Sequence, residues 1–311
     1  MRRFLVRRLL QSAALLIVLT TASFFLIQLT PGGPDSAFAN NPRIGPQEIQ
    51  RIRERFGLDQ PLPARYASWL GNVARLDFGR SYIYGRPATE VIGERLGATV
   101  QLGLMSYAVG FLGVPLGVYA ALHRGRLGDG LVRLLTTLGH SVPSWWLGLT
   151  IILVLNSLLG WFPSGQGRGG LDDWFKHIIF PASVLGLGFV VTFARFTRSE
   201  VLEVLGQDYV RTARGKGLAP GTVTIRHVLR NALMPIVTLL GFVLPNVLSG
   251  ALVTEYVFAW PGLGRLFWES AVSRDYPILL ALVTLTTLAT IIGTLLADLG
   301  YGLVDPRVRY G

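Results

Sequence analysis

Histidines and carboxylates are the side chains that could do chemistry within or beside the apolar segments of this chain. Its four histidines, His123, His140, His177 and His227, do not have the spacing of metal ligands. Glu255 and Asp298 lie at the ends of apolar segments, whereas a proton relay places its carboxylate in the middle of one. These observations predict no catalytic site and no metal site, and they favour His140 as a polar group in helix packing.

Nucleotide and thiol chemistry are also excluded. The glycine-rich stretch at 165–170 lacks the Gly-Lys-Ser/Thr ending of a phosphate-binding loop. There are 0 cysteines, so a disulfide or a thiolate metal site cannot form. We therefore expect the chain to bind no cofactor of its own.

The elements that must position the remaining side chains are membrane helices. Only 15% of residues are charged, compared with about 25% in soluble domains. Six windows of 17 to 26 residues contain no Asp, Glu, Lys or Arg: 9–29, 100–122, 134–159, 178–194, 233–254 and 278–297. Each is long enough to cross a hydrocarbon core of about 30 Å as a helix. The sequence therefore predicts an all-α polytopic membrane protein with six transmembrane helices.

The first window could belong to a signal peptide or to a retained anchor. Four arginines precede it, as in a signal peptide, but its apolar run is long and no small-residue cleavage site follows. This favours a retained helix within a first region at 1–29.

Basic residues predict the orientation of the chain. With the N-terminus in the cytoplasm, the inner segments hold 16 of the 29 Lys and Arg residues, the short outer loops hold 4, and a long outer segment at 30–99 holds the other 9. Short loops rich in Lys and Arg stay inside, so both termini are expected in the cytoplasm. Topology then explains the net charge of +11, and nucleic-acid binding is not expected.

The outer segment at 30–99 is predicted to be a helical region of its own. Apolar residues recur at helical spacing within 46–57 and again within 61–76, with charges between them. Such amphipathic helices could cap the membrane region or form a docking surface for an external partner, and the sequence favours neither. Residues 100–311 form the remaining five-helix core.

Prolines and glycines mark special positions inside the windows. Pro143 and Pro245 are expected to kink their helices, and together with His140 they could line a path through the membrane. Glycines at 110, 113 and 117, and at 241 and 250, could let helices pack closely.

The polar segment at 195–232 separates the fourth window from the fifth. The apolar residues Val201, Leu202, Leu205, Tyr209 and Ala213 fall on one face of a predicted helix. Gly215 and Gly217 should break that helix, and Pro220 can start the next one. Amphipathicity alone favours a helix that lies on the inner membrane leaflet.

Motifs along nearly the whole chain resemble those of ABC-importer permeases of the dipeptide, oligopeptide and nickel type. They are LTPGGP at 29–34, FGLDQPL at 56–62, LDFGRS at 76–81, SVPSW at 141–145, FAWPGLGR at 258–265, RDYP at 274–277 and DPRVRYG at 305–311. The segment at 208–218 resembles the coupling loop of such permeases, although the leading Glu of the family signature is replaced by Arg211 and its proline is delayed to Pro235.

The resemblance implies a type I ABC importer permease in the bacterial inner membrane. It implies a second, homologous permease subunit, two ATPase subunits that bind ATP and Mg, and an extracytoplasmic substrate-binding protein. It also implies that the loop docks in a cleft of an ATPase subunit. The residues it assigns to coupling are Leu205, Asp208, Tyr209, Arg211, Thr212, Ala213, Arg214, Gly215, Lys216 and Gly217.

Two other classes of protein remain open from the residues. A carrier or channel that acts alone would transport without ATP, and a membrane-embedded enzyme would need a catalytic constellation, which the sequence lacks. The cargo is not determined, because peptides, nickel complexes, glutathione and sugars all fit the resemblance.

Overall fold

The structure is a computed structural model that describes residues 2–29, 46–55, 57–160, 165–166, 169–233 and 252–304, with positions 236, 243 and 247. The described part is helical and contains no strand, only an isolated bridge between Arg80 and Pro87. The first helices are α1 Arg2–Gln28, α2 Pro46–Arg55, α3 Leu62–Val73, α4 Ala88–Gly110, α5 Gly113–Leu122, α6 Leu127–Ser141, α7 Ser144–Leu159 and α8 Leu171–Leu205. They are followed by α9 Asp208–Gly215, α10 Pro220–Thr222, a π-helical segment Val223–Leu229, α11 Arg230–Ala232, α12 Leu252–Val257, α13 Leu263–Ser273 and α14 Tyr276–Val304.

Five of the six predicted membrane crossings have a counterpart among the described residues. Four segments are long and apolar enough to span a bilayer, namely Val6–Gln28, Ala88–Leu122, Leu171–Leu205 and Tyr276–Leu296. The fifth counterpart is a bent pair of helices, described below. The predicted window at 233–254 lies mostly outside the described residues, and Pro245, Gly241 and Gly250 are among the positions not described.

The predicted crossing at 134–159 is two helices rather than one kinked helix. α6 ends at Ser141 and α7 begins at Ser144, with a bend of 95° between them. Pro143 has an extended backbone at the start of α7. Its ring disfavours a helical conformation for Val142, which is also extended. The proline therefore ends one helix and starts the next, a larger effect than the expected kink.

Glycines bring α4 and α5 against α8, as the sequence predicted for positions 110, 113 and 117. A Cβ atom at Gly113 would lie 2.2 Å from the carbonyl oxygen of Val190, and one at Gly117 would lie 2.5 Å from that of Ala194. Gly186 makes the reciprocal approach to the backbone of Ser106. Backbones this close leave no room for side chains, so α4, α5 and α8 pack as one unit.

The predicted amphipathic helices at 46–57 and 61–76 are confirmed as α2 and α3. The aromatic residues of α3 pack against one end of α1, with Tyr66 and Trp69 both close to Phe24. The Tyr66 hydroxyl is hydrogen-bonded to that of Thr21 at 2.7 Å. One face of α3 therefore packs against α1.

Buried carboxylates hold together the end of the bundle that carries α3. Asp275 accepts hydrogen bonds from the Ser81 hydroxyl and from the backbone N–H of Tyr82, which joins the RDYP motif to the LDFGRS motif. Burial raises the pKa of the Tyr82 phenol, so its ring stays neutral here. Two of the sequence motifs are therefore halves of one structural contact.

Glu255 is a second buried carboxylate at this end. It accepts hydrogen bonds from the Thr99 hydroxyl at 2.8 Å and from the N–H groups of Gly264 and Arg265 at 2.7 and 3.1 Å. These N–H groups start α13, where a negative charge is stabilised by the helix dipole. A Cβ atom at Gly262 would lie 2.4 Å from the carboxylate. The glycines of the FAWPGLGR motif therefore make room for Glu255.

Candidate functional site

The polar segment at 195–232 folds at the end of the bundle opposite α3. α8 has 35 residues, or about 52 Å at 1.5 Å per residue, so it is longer than a bilayer core is thick. It ends at Leu205, and Gln207 then adopts an extended backbone before α9 begins at Asp208. The predicted break before Pro220 is also present, and Pro220 starts α10 as expected.

The inward face of α9 packs on the chain's own helices. Val210 and Ala213 are buried in a cluster with Ala121, Val201, Val223, Val228 and Ala232. Leu205 packs at the edge of this cluster. Burying a valine side chain contributes about 1.5–3 kcal/mol, so the cluster fixes α9 on the ends of α5 and α8.

The predicted helical face is therefore wrong at Tyr209. A single helix through residues 201–213 would turn Tyr209 inward, but the break at Gln207 gives α9 its own direction and turns Val210 inward instead. Tyr209 is 43% exposed, and its hydroxyl accepts a hydrogen bond from the Asn231 side chain at 3.0 Å.

The outward face of α9 is polar, basic and accessible. The Thr212 hydroxyl donates to the carbonyl oxygen of Asp208 at 2.9 Å, within the helix. Arg211 and Asp208 form an ion pair of 3.5 Å that is almost fully exposed. We call this the α9 surface; it consists of Asp208, Tyr209, Arg211, Thr212, Arg214 and Lys216. Most of the residues assigned to coupling by resemblance are on it, whereas Ala213 is buried beneath it.

Gly217 ends this helical segment in a conformation that favours glycine. Its φ is +77°, its N–H donates to the carbonyl oxygen of Arg214 at 2.9 Å, and the N–H of Leu218 donates to that of Ala213 at 3.4 Å. This pair of bonds is the Schellman arrangement, in which the residue after the helix is left-handed. Gly215 has no such requirement.

We expect Gly217→Ala to destabilise the end of α9 by about 1 kcal/mol, the cost of a left-handed conformation for a residue with a Cβ. Gly215→Ala is the matched control, because that glycine is helical and has open space around it. Limited proteolysis of the loop after α9 measures the difference. Equal protection of the two variants would contradict the role of Gly217.

A buried ion pair fixes the neighbouring turn to α8. The Asp129 side chain is 1% exposed and accepts hydrogen bonds from Arg198 Nε at 2.7 Å and Nη2 at 3.0 Å. It also accepts one from the N–H of Gly125 at 3.1 Å. The turn between α5 and α6 is thus held on α8, seven residues before that helix ends. The sequence pattern does not indicate this pair, because the two residues lie 69 positions apart.

We expect Asp129→Asn to destabilise the chain by about 2 kcal/mol, because it removes the negative charge that accepts both Arg198 hydrogen bonds, and a hydrogen bond to a charged group contributes about 1.5–3 kcal/mol. Asp208→Asn removes an exposed ion pair and should have no measurable effect. The midpoint of thermal unfolding in detergent measures both variants. An unchanged midpoint for Asp129→Asn would show that the pair contributes nothing.

The residues predicted to line a path fall in different places. His140 lies on α6 beside a cavity between α6 and α8, Pro143 lies at the bend between α6 and α7, and Pro245 is outside the described residues. Among the described residues, no group of His, Asp and Glu has the arrangement of a metal site. The geometry thus shows an exposed, basic surface at α9 and a cavity near His140.

Two family descriptions match the chain along its length. Residues 113–310 match the "Binding-protein-dependent transport system inner membrane component". Residues 1–103 match the N-terminal part of such membrane components. The chain belongs to this permease family. The α9 surface is therefore part of a membrane transport subunit, and the family predicted from the sequence motifs is confirmed.

Relatives of this permease match it from end to end. It is 37% identical over 317 residues to the oligopeptide transport system permease protein AppB of Bacillus subtilis, with both chains fully covered. It is 38% identical over 312 residues to the glutathione transport system permease protein GsiC of Salmonella paratyphi A, again with both fully covered. A putative peptide transport system permease of Brucella abortus is 37% identical over 314 residues.

Solved structures confirm the predicted fold class. The permease resembles a chain of the inward-facing MetNI methionine ABC transporter with a TM-score of 0.54 at 18% identity, covering 69% of this chain and 96% of the other. A chain of an amino acid ABC transporter gives a TM-score of 0.50 at 16% identity, with 68% and 94% covered. The all-α, type I ABC importer fold is shared at these low identities.

Proposed function

We propose that this permease forms half of the pathway of an ATP-driven importer of peptides or similar small solutes. Its partners in the proposal are a homologous permease, two ATPase subunits that bind ATP and Mg, and an extracytoplasmic binding protein. The chain itself catalyses nothing and binds no nucleotide. Full-length relatives named for oligopeptide, peptide and glutathione transport support this cargo class.

The main support for this proposal is that α9 packs on the bundle through one face and leaves the other face exposed. Val210 and Ala213 fix the helix on the ends of α5 and α8, while Tyr209, Arg211 and Arg214 remain accessible. A force applied to this surface by an ATPase subunit would be passed to α5 and α8, which are packed backbone to backbone. A helix that only lay on lipid would bury its apolar face in the membrane, whereas here that face is occupied by the protein.

The proposal includes an orientation with α9 and both termini in the cytoplasm. Matched reporter positions are Gly71 on α3 and Gly221 on α10, because both have open space for a side chain. The chain contains no native cysteine, so an introduced cysteine would be its single thiol. In intact cells, Gly71→Cys should react with a membrane-impermeant maleimide, and Gly221→Cys should react only after permeabilisation. Labelling of Gly221→Cys in intact cells would contradict the proposed orientation.

Reconstitution tests the transport proposal. Proteoliposomes that contain both permeases and the ATPase subunits should accumulate a labelled tripeptide only with ATP and loaded binding protein. The purified chain alone should hydrolyse no ATP. Uptake without ATP would support the alternative, a carrier or channel that acts alone, and hydrolysis by this chain alone would contradict the division of labour.

A further inference from the structure

A cavity of 450 Å³ lies between α6 and α8, on the side of the bundle nearer α9. It is lined by polar and apolar side chains: His140 from α6, and Val191, Thr192, Arg195, Phe196, Ser199 and Glu200 from α8. The α8 residues lie between positions 191 and 200, which cover about 14 Å along the helix axis at 1.5 Å per residue. The cavity therefore runs from the end of the charge-free window at 178–194 towards α9.

The charged residues of this cavity have no partner among the described residues. Arg198, on the same helix, is paired with Asp129. Arg195 and Glu200, in contrast, form no ion pair or hydrogen bond in the described part of the chain. Arg195 is exposed and Glu200 is half-buried. One positive and one negative group are thus available to a bound molecule, separated by five residues, about 7.5 Å along the helix.

The position of these charges indicates a wet cavity. A charged side chain that faces lipid is costly, so such residues in membrane proteins face the bundle interior or a water-filled space. His140 also lies here, next to Gly139, whose Cβ would touch the Val191 side chain. α6 therefore packs closely on α8 beside the cavity.

We propose that this cavity is a solute-binding site of the translocation pathway and that it recognises the two charged ends of a short peptide. Arg195 binds the terminal carboxylate, for which its planar guanidinium is suited, and Glu200 binds the terminal ammonium group. Thr192 and Ser199 supply polar contacts, and Phe196 supplies an apolar surface. The volume is within the range of small-molecule sites. This inference rests on the proposed peptide transport.

The test compares uptake of a free tripeptide with that of its C-terminal amide and its N-acetyl form in the reconstituted complex. Arg195→Gln should reduce uptake of the free peptide about tenfold and leave uptake of the amide unchanged, so the ratio between the two falls towards one. Glu200→Gln should likewise reduce uptake of the free peptide and leave uptake of the N-acetyl peptide unchanged, so that this second ratio falls towards one. The same binding protein serves every variant, so its own preference cancels when the ratios are compared.

Matched variants separate recognition from damage to the fold. Arg195→Lys keeps the charge and should restore most of the preference for the free carboxylate. Glu203→Gln changes a carboxylate on the same helix that does not line the cavity, and it should leave both ratios as in the wild type. Ratios in Arg195→Gln and Glu200→Gln equal to those of the wild type would overturn the inference, even when wild-type peptide uptake confirms the proposed function.

A labelling experiment tests the site without altering its charges. Ser199→Cys introduces a thiol into the cavity of a chain that has 0 cysteines. In the complex without ATP, a maleimide should label it, and millimolar free tripeptide should slow labelling at least threefold while the doubly capped peptide does not. Equal slowing by both peptides, or by neither, would show that the cavity does not read the termini.

Discussion

Gly113→Ala is expected to destabilise the membrane bundle by about 3 kcal/mol, at the upper end of the range for overpacking. The new Cβ atom would lie 2.2 Å from the carbonyl oxygen of Val190 and 2.9 Å from the backbone nitrogen of Ala194. Both neighbours are backbone atoms, so no side chain can move aside and the two helices must separate. The midpoint of thermal unfolding in detergent and the folded fraction in size-exclusion chromatography measure the effect.

Gly130→Ala is the matched control for this prediction. Gly130 is also helical, but a Cβ atom there would meet nothing within 4 Å, and alanine is the better helix former. Its stability should equal or exceed that of the wild type. If Gly113→Ala unfolds at the same temperature as Gly130→Ala, then α5 and α8 are not packed backbone to backbone as described.

Reversing both arginines of α9, Arg211→Glu with Arg214→Glu, is expected to reduce peptide uptake at least tenfold while the permease stays folded. Both side chains are exposed and neither packs in the buried cluster. Their reversal should weaken association with an ATPase subunit, more strongly at low salt than at high salt, because exposed charges are screened by ions. Copurification of the ATPase subunits at two salt concentrations measures this directly.

Two variants separate docking from folding in this experiment. Ala213→Trp changes a residue buried beneath the α9 surface, so it should lower the unfolding temperature, unlike the double arginine reversal. Arg75→Glu reverses an exposed charge at the α3 end of the bundle and should leave ATPase association unchanged. If the double arginine variant bound the ATPase subunits as well as the wild type at low salt, the charges of α9 would have no part in docking.

The sequence predicted the helices and the positions of the motifs more fully than the contacts between them. Uncharged windows located the crossings because hydrocarbon excludes charge. Small residues indicated the faces at Gly113 and Gly117 that pack on α8. The family motifs indicated which segments matter, and the structure shows that LDFGRS and RDYP meet through Asp275.

Contacts between distant residues could not be predicted in this way. Arg198, which pairs with Asp129, lies 69 residues away along the chain, and Thr99, which donates to Glu255, lies 156 residues away. Periodicity carries no information about such pairs. The error at Tyr209 has a local cause, since the break at Gln207 rotates α9 relative to α8. A sequence pattern that assumes one continuous helix cannot show that rotation, and it left Val210 out of the buried face.

Cross-linking from the α9 surface tests the central claim most directly. A photoactivatable cross-linker on Thr212→Cys, the single thiol of this chain, should form a covalent product with an ATPase subunit that lacks reactive cysteines, and the yield should change when ATP is added. Ser68→Cys on α3 should form no such product. A complex that imports peptide with Thr212→Cys fully labelled, and that forms no product with an ATPase subunit, would contradict the coupling role of α9.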